Sequence, residues 1–257
     1  MISGFTIARN VVKLKYPVRE CLTAMRPMTD EIVVGYDPHT EDGTHELMVK
    51  LAEDLDLRLF ESKWDMDNFE KGTELGIQTD KTMEQLRGDW QLYVQLDEAF
   101  HEDDADLIRA ATAQPDDVTG VDFMRAYFFG NLHTIRKDWS VQITRLTRAG
   151  THTYADFDGM NCKPIRGRHE LCKDVWMLHY SRIGDADEIS LRLRNLDGFY
   201  HADETLVPEA EITPYDFKTR QWDNFSKVEA PPRVKGDFVT YLGTHPLPFA
   251  ELYQDYE

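Results

Sequence analysis

Short apolar runs alternate with amphipathic stretches through the first hundred residues, and this alternation most narrows the folds open to the 257-residue chain. GFTIA (4–8), EIVVGY (31–36), LRLFES (57–62) and DWQLYVQL (89–96) have the length and composition of buried strands. Between them lie helical patterns. One follows Tyr16, with Pro17 at its first position and Val18, Leu22 and Met25 on one face. A second, THELMVKLAEDL (44–55), aligns Leu47, Leu51 and Leu55, and a third spans 73–87 with Leu75, Met83 and Leu86. The repetition predicts an α/β fold: a Rossmann-like mixed, mostly parallel central sheet flanked by helices. Such sheets bind ligands at the carboxyl ends of their strands. Two acidic turns, DPHTEDGT (37–44) and DEAFHEDD (97–104), fall there and are expected to converge on one rim.

The second half changes texture. Residues 121–133, 139–148 and 175–180 read as strands and 185–200 as a helix, followed by a stretch rich in Pro, Trp and Phe. The loop AQPDD near 115 divides the chain into 1–115 and 116–200, two halves of one composite domain, with 201–257 as an extension packing over the core.

Composition excludes some functions. A net charge of −18, from 47 acids and 29 bases, opposes a broad grip on a phosphate backbone. One basic island interrupts the acidity: residues 136–173 carry eight bases (Arg136, Lys137, Arg145, Arg148, Lys163, Arg166, Arg168, Lys173) against four acids. It suits an anionic ligand or, equally, solvated loops. Three cysteines at 21, 162 and 172 match neither a disulfide framework nor a metal spacing, as in a reduced compartment. No secretory leader is evident and no apolar run reaches the ~20 residues of a membrane span, so a cytoplasmic protein is expected, with peripheral membrane association still open.

Three positions suggest chemistry. Asp97, at the exit of an apolar strand, can ligate Mg²⁺ or Mn²⁺ while a diphosphate supplies further oxygens; Asp97 and Glu98 would equally suit a helix start. Asp37 and Asp42 can accept hydrogen bonds from a base or ribose, or cap a turn. His179, inside VWMLHY, is either a buried hydrogen-bonded residue or a ligand. P-loop, dinucleotide-fingerprint, nucleophile-elbow, H-E-x-x-H and C-x-x-C patterns are absent from the sequence.

Taken in order, SGFTIARN, DEIVVGYDPHTEDGT, RLFESKWD and GIQTDKTMEQLRGDWQLYVQLDE resemble the nucleotide-sugar-binding half of family-2-type glycosyltransferases with the GT-A fold. FFGN (128–131), VWMLHYSRIG (175–184) and YLGTHP (241–246) look like the F-x-G, HYG-x-x-R and G-x-HP elements of one branch. The resemblance implies that residues 1–115 bind the donor and 116–200 the acceptor. Ala8, Arg9 and Asn10 would line the nucleotide pocket with Asp37, and Asp80 stands where the family often has Asn. Asp97 would hold the metal, with Gln95 replacing the family's first Asp, and His179 would approach the metal or phosphates. The base that deprotonates the acceptor would be Asp156, Asp158 or Glu170, and Arg166 and Arg168 would close on the diphosphate. The implied activity is metal-dependent (Mn²⁺ or Mg²⁺), inverting transfer of a sugar from a nucleotide-sugar, a UDP-sugar first among them. The acceptor is a hydroxyl of a glycan or, as second choice, of a modified base in DNA. A nucleotidyltransferase and a non-catalytic nucleotide-sugar-binding module are the competing readings. Oligomeric state is not legible.

Overall fold

A computed structural model describes residues 1–68, 70–155, 159–202, 206, 209 and 238–256. The first half runs β1 (Ile2–Ala8), α1 (Val18–Met25), β2 (Glu31–Tyr36), α2 (Thr44–Leu55), β3 (Arg58–Glu61), α3 (Thr73–Met83), β4 (Trp90–Tyr93), β5 (Glu98–Ala99) and α4 (Ala105–Ala110). The second half runs β6 (Val118–Phe129), β7 (Thr134–Arg136), β8 (Gln142–Arg148), β9 (His152–Thr153), β10 (Lys163–Pro164), β11 (Arg168–Arg182) and α5 (Ala186–Asp197). In the tail lie β12 (Phe238–Thr240) and α6 (Leu247–Leu252).

The expected α/β architecture is present. The ten-stranded sheet is mixed, with most paired residues in parallel register, and its main path runs β12-β7-β6-β8-β4-β1-β2-β3. β1 lies between β2 and β4, parallel to both, so Ala8 pairs with Tyr36 and Phe5 with Tyr93. The strand ends at Arg9, Asp37 and Gln95 therefore share one edge. The core strands read as unbroken apolar runs because both faces are covered: Ile32, Val33 and Val34 are all buried. β6 and β11 extend the sheet as a parallel pair, joined to the first half by β8, which is antiparallel to both β4 and β6.

One apolar run ends early. The sequence pattern carries a strand to residue 96, but pairing stops at Tyr93. Beyond it the chain folds into a tight turn in which the Glu98 N–H donates to the Gln95 carbonyl (2.9 Å) and the Gln95 N–H donates to the Glu98 carboxylate (3.0 Å). Glu98 then enters β5, antiparallel to β11 and opposite His179. The acidic residues at 97 and 98 thus form a turn, and the following helix starts only at Ala105.

Two fully buried side chains close this corner. Arg145 of β8 donates from Nε and Nη2 to the two Glu98 oxygens, at 2.8 and 2.7 Å, with both residues wholly excluded from solvent. Its third nitrogen donates to the carbonyls of Thr144 (3.1 Å) and Met160 (2.7 Å). From the tail, α6 packs against α1 and stacks Phe249 on Tyr180 at 4.4 Å. His245 donates from Nε2 to the Leu132 carbonyl (3.1 Å) and accepts from the Tyr180 hydroxyl at Nδ1 (2.9 Å). Among the described residues no helix is long and apolar enough to cross a membrane.

Removing one partner of a buried pair leaves an uncompensated charge. Arg145→Met or Glu98→Ala alone should destabilise the protein by about 3–5 kcal/mol, while the double change to apolar residues of similar volume should recover most of that loss. Urea unfolding of the two single variants and the double variant checks this.

Candidate functional site

At the carboxyl edge of β1, β4 and β11 the chain encloses a cavity of about 580 Å³. Arg9 and Val11 follow β1, Gln95, Leu96 and Asp97 form the turn after β4, and His179, Ser181 and Arg182 end β11. Arg125 and Tyr127 enter from β6 and Arg192 from α5. Tyr16, Trp64, Trp139 and Phe199 supply apolar wall.

The central pair is Asp97 and His179. Oδ1 of Asp97 stands 3.9 Å from Nε2 of His179, and both residues are buried. Burial, with Glu98 as the neighbouring like charge, pushes the Asp97 carboxyl up to about 6, against the pull of Arg192 and Arg182. Burial and then the charges of Arg125 and Arg182 push His179 well below the usual imidazole range, so its ring is neutral. Tyr127 stacks on that ring at 4.5 Å and shares a hydrogen bond of 2.6 Å with Ser181. A carboxylate and a neutral imidazole facing one space can share a divalent cation. Among the described residues no third protein donor joins them, so the rest of the coordination sphere would fall to ligand or water.

Four arginines line the same space, against two acids, Asp97 and Asp197. Arg125 is oriented by the Trp139 carbonyl, to which it donates from Nε (3.1 Å) and Nη2 (2.8 Å). Arg192 donates to the carbonyls of Leu14 (2.8 Å) and Lys15 (2.6 Å). Arg9 pairs with Asp37 at 3.3 Å, linking the early acidic turn to the cavity wall. The two acidic turns therefore share a rim, but not every acid faces it. Asp42 accepts from the backbone N–H groups of Lys13 (2.9 Å) and Thr44 (3.2 Å), closing the turn before α2.

Other residues singled out from the sequence fall in different places. Arg9, Gln95, Asp97 and His179 line the cavity. Ala8 is buried against β2, and Asn10 sits beside the cavity at φ 52° with its carbonyl accepting from Leu14. Asp80 braces a loop: its carboxylate accepts from the Thr153 hydroxyl (2.5 Å) and from the N–H groups of Tyr154 (2.7 Å) and Ala155 (3.1 Å). Asp156 and Asp158 lie outside the described residues. Glu170 is not brought to the cavity: it pairs with exposed Arg168, which also holds Asp117, at the opposite end of β11 from His179. Glu170 pairs with Val121 and His179 with Tyr127, positions six residues apart along β6, roughly 20 Å. Arg166 is exposed at that same far end, where its carbonyl accepts from Thr119.

The basic island does not survive as a patch, because folding disperses it. Arg145 is buried on Glu98, Arg148 donates to the carbonyls of Gln114 and Val118, and Arg136 lies 3.5 Å over the Trp139 ring. The cations that line the cavity, Arg9, Arg125, Arg182 and Arg192, lie outside that window. Their signal was a different one: Arg125 shares a strand face with Phe123 and Tyr127, and Arg192 stands at helical spacing from Ile189. A charge on an apolar face needs a partner.

No family model matches the chain and no curated protein matches it. Solved structures that share its architecture include TarS 1-349 of S. aureus in complex with UDP, 13% identical over 81% of this chain and 67% of that one, TM-score 0.44. Mannosyltransferase PcManGT from Pyrobaculum calidifontis, in complex with GDP-Man and Mn²⁺, is 16% identical over 77% of this chain and 62% of that one, TM-score 0.45. A nucleotidyl transferase from Methanothermobacter is 12% identical over 77% and 97%, TM-score 0.40. These are distant likenesses of fold. What the cavity can do has to be read from its own residues.

The raised Asp97 carboxyl has a consequence for stability. Folded Asp97 binds its proton more tightly than the unfolded chain does, so between the ordinary carboxylate value and about 6 its contribution to stability grows as pH falls. Above that window the ionised, buried carboxylate costs about 2–3 kcal/mol. In chelator at pH 7.5, Asp97→Asn should therefore be more stable than wild type, and the difference should shrink towards pH 4. Thermal melts of both proteins across that range, which cancel the other titrating groups, check the sign.

Proposed function

We propose that the protein is a metal-dependent glycosyltransferase that moves a sugar from a nucleotide-sugar donor, a UDP-sugar first among them, to a hydroxyl acceptor with inversion. The observation that carries this reading is the Asp97–His179 pair opening into an arginine-lined cavity at the carboxyl edge of the sheet. Asp97 and His179 would hold Mn²⁺ or Mg²⁺, and the bound cation supplies charge that stabilises a leaving diphosphate.

The chain's own residues do the rest. Arg125 and Arg192, fixed by carbonyls, attract and orient the diphosphate without first having to reorganise. The Arg9–Asp37 pair, at the adjacent strand ends, faces the base or ribose. Tyr16, Trp64 and Phe199 exclude water from the sugar. Inverting transfer also needs a carboxylate within about 3 Å of the acceptor hydroxyl to take its proton. We assign that role to Asp156 or Asp158: Asp80 anchors residues 153–155 directly before them, and Met160, two residues after Asp158, lines the cavity. Glu170 is unsuited, being tied to Arg168 at the far end of β11.

A glycan hydroxyl is the favoured acceptor over a modified base in DNA. A net charge of −18, with Arg145 and Arg148 of the basic island turned to Glu98 and to a backbone carbonyl, weighs against a grip on a phosphate backbone.

A nucleotide-sugar panel with Mn²⁺ should raise the melting temperature of wild type, because a ligand that binds only the native state stabilises it. Asp97→Ala should lose the metal-dependent part of that shift and lose transfer by about a thousandfold, while still folding. The small product should be a nucleoside diphosphate. Release of pyrophosphate instead would identify a nucleotidyltransferase, and donor binding with no turnover over hours would identify a binding module.

A further inference from the structure

His179 and Tyr180 are consecutive in β11, so their side chains leave the sheet on opposite faces. The same holds for Tyr127 and Phe128 in β6, which runs parallel to β11 with Tyr127 opposite His179. Two ring pairs result, back to back. On the cavity side Tyr127 stacks on His179 at 4.5 Å, and on the far side Phe128 stacks on Tyr180 at 5.1 Å. The backbone of Tyr180 joins both members of the central pair. It follows His179 directly, and its N–H donates to the Asp97 carbonyl at 2.8 Å. The 3.9 Å separation of Asp97 and His179 therefore depends on where Tyr180 is held.

The far layer is closed by the C-terminal segment. Among the described residues none of 238–256 lines the cavity, yet this stretch encloses the fully buried Tyr180 side chain. Phe249 stacks on its ring at 4.4 Å and Tyr253 at 5.8 Å, and its hydroxyl meets Nδ1 of His245 at 2.9 Å. The other ring nitrogen sets the direction of that bond. Nε2 faces the Leu132 carbonyl at 3.1 Å, which can only accept, so in the neutral ring Nδ1 accepts from Tyr180. The segment is tied down around this point on three sides. Past the Asp97 turn, Leu247 N–H donates to Glu102 (3.1 Å) and Thr244 meets His101 (3.0 Å). Past β6, Tyr241 N–H donates to the His133 carbonyl (2.7 Å) and Leu132 N–H to the Tyr256 carbonyl (3.1 Å). Past β11, the Tyr256 hydroxyl donates to Asp185 (2.9 Å). The three stretches that leave the cavity edge on this side are bound to one strap behind it.

We propose that His245 is a positioning residue for the cavity: acting through Tyr180, it sets the spacing of Asp97 and His179 from the opposite face of the sheet. A tyrosine hydroxyl buried in an aromatic stack needs a partner. Without His245 that hydroxyl is left unpaired behind the sheet, and the way to relieve the cost is for Tyr180 to move towards another acceptor or water. Both of its faces are packed with rings, so a shift there is not absorbed locally. It passes through the Tyr180 backbone to His179 and to the Asp97 carbonyl. The inference rests on the glycosyltransferase reading for what the cavity binds, while the link from His245 to the pair stands on the contacts alone.

Two measurements on the full-length protein test the link and the ligand separately. Native-state amide exchange of the metal-free protein reads the Tyr180 N–H bond. In His245→Ala the Tyr180 amide should exchange about tenfold faster while the amides of β2 keep their wild-type rates. His245→Gln, whose side chain supplies one acceptor and one donor, should restore protection. Calorimetry with UDP reads the cavity. His245→Ala should weaken UDP binding in Mn²⁺ by roughly 10–100-fold, leave binding in chelator unchanged, and recover in His245→Gln. Because His245→Ala could fail to fold, Tyr180→Phe, which keeps the ring stack and removes the hydroxyl, carries the same two expectations. Unchanged Tyr180 exchange, equal acceleration in β2, or UDP binding that falls equally with and without Mn²⁺ would overturn the proposal. Faster Tyr180 exchange with no UDP bound by wild type would instead sink the glycosyltransferase reading and leave the link standing.

Discussion

Arg145 and Glu98 meet with both side chains fully buried, and the turn that presents Asp97 is built around them. A buried ion pair is not in itself a source of stability, since desolvating both charges offsets their attraction. Its effect here is geometric. The Glu98 carboxylate takes two guanidinium hydrogens from β8 and one backbone hydrogen from Gln95, while Arg145 also reaches the Met160 carbonyl. Three segments, the turn at 95–98, β8 and the stretch at Met160, are thereby fixed at one corner. The same clamp sets the electrostatics next door. It places a second carboxylate beside Asp97 and removes water from both, and this raises the Asp97 carboxyl. An ion brought to Asp97 and His179 would relieve that penalty.

The cavity carries charge of the opposite sign to the protein. A chain of net charge −18 gathers four arginines around one space and gives them two acids there. Arg125 is held by a backbone carbonyl, which orients a guanidinium without neutralising it, while Arg192, fixed by the carbonyls of Leu14 and Lys15, also lies 3.8 Å from Glu188. That is the arrangement expected of a site whose anion arrives from solution. Neutral His179 follows from the same choice, because a proton on that ring would face Arg125 and Arg182 in a desolvated space.

The sheet was readable from the sequence because its strands are covered on both faces and its helices are amphipathic, so EIVVGY and THELMVKLAEDL declare themselves by length and period alone. The convergence of Asp37 and Asp97 followed from strand direction, a property of the α/β repeat. What the sequence hid was anything decided by long-range partners. Glu98 and Arg145 read as surface charges, 47 residues apart, and become the most buried charges among the described residues. A local window of bases predicted an anion patch, but each guanidinium answers to whatever the sheet brings beside it, and β8 brings Arg145 to Glu98 and Arg148 to the carbonyl of Val118. Glu170 illustrates the same limit. It shares β11 with His179, yet a strand of 15 residues puts its ends on opposite edges of the molecule.

The chain sets an imidazole beside a carboxylate twice, with opposite results. At Asp122 and His169 the two groups are 3.1 Å apart, and Thr144 and Gln142 satisfy the remaining lone pairs, so the carboxylate stays ionised and orients the ring. At Asp97 and His179 the separation is 3.9 Å, the nearest like charge is Glu98, and the pair faces a cavity. The first is a finished hydrogen-bond network, in which the far nitrogen of the ring also meets Nε2 of His152 at 2.8 Å. In the second, Nδ1 of His179 accepts from the Ser181 N–H at 3.4 Å, and Nε2 and the Asp97 carboxyl face each other beside the cavity. Distance and satisfied lone pairs separate the two roles, although the residue types are identical.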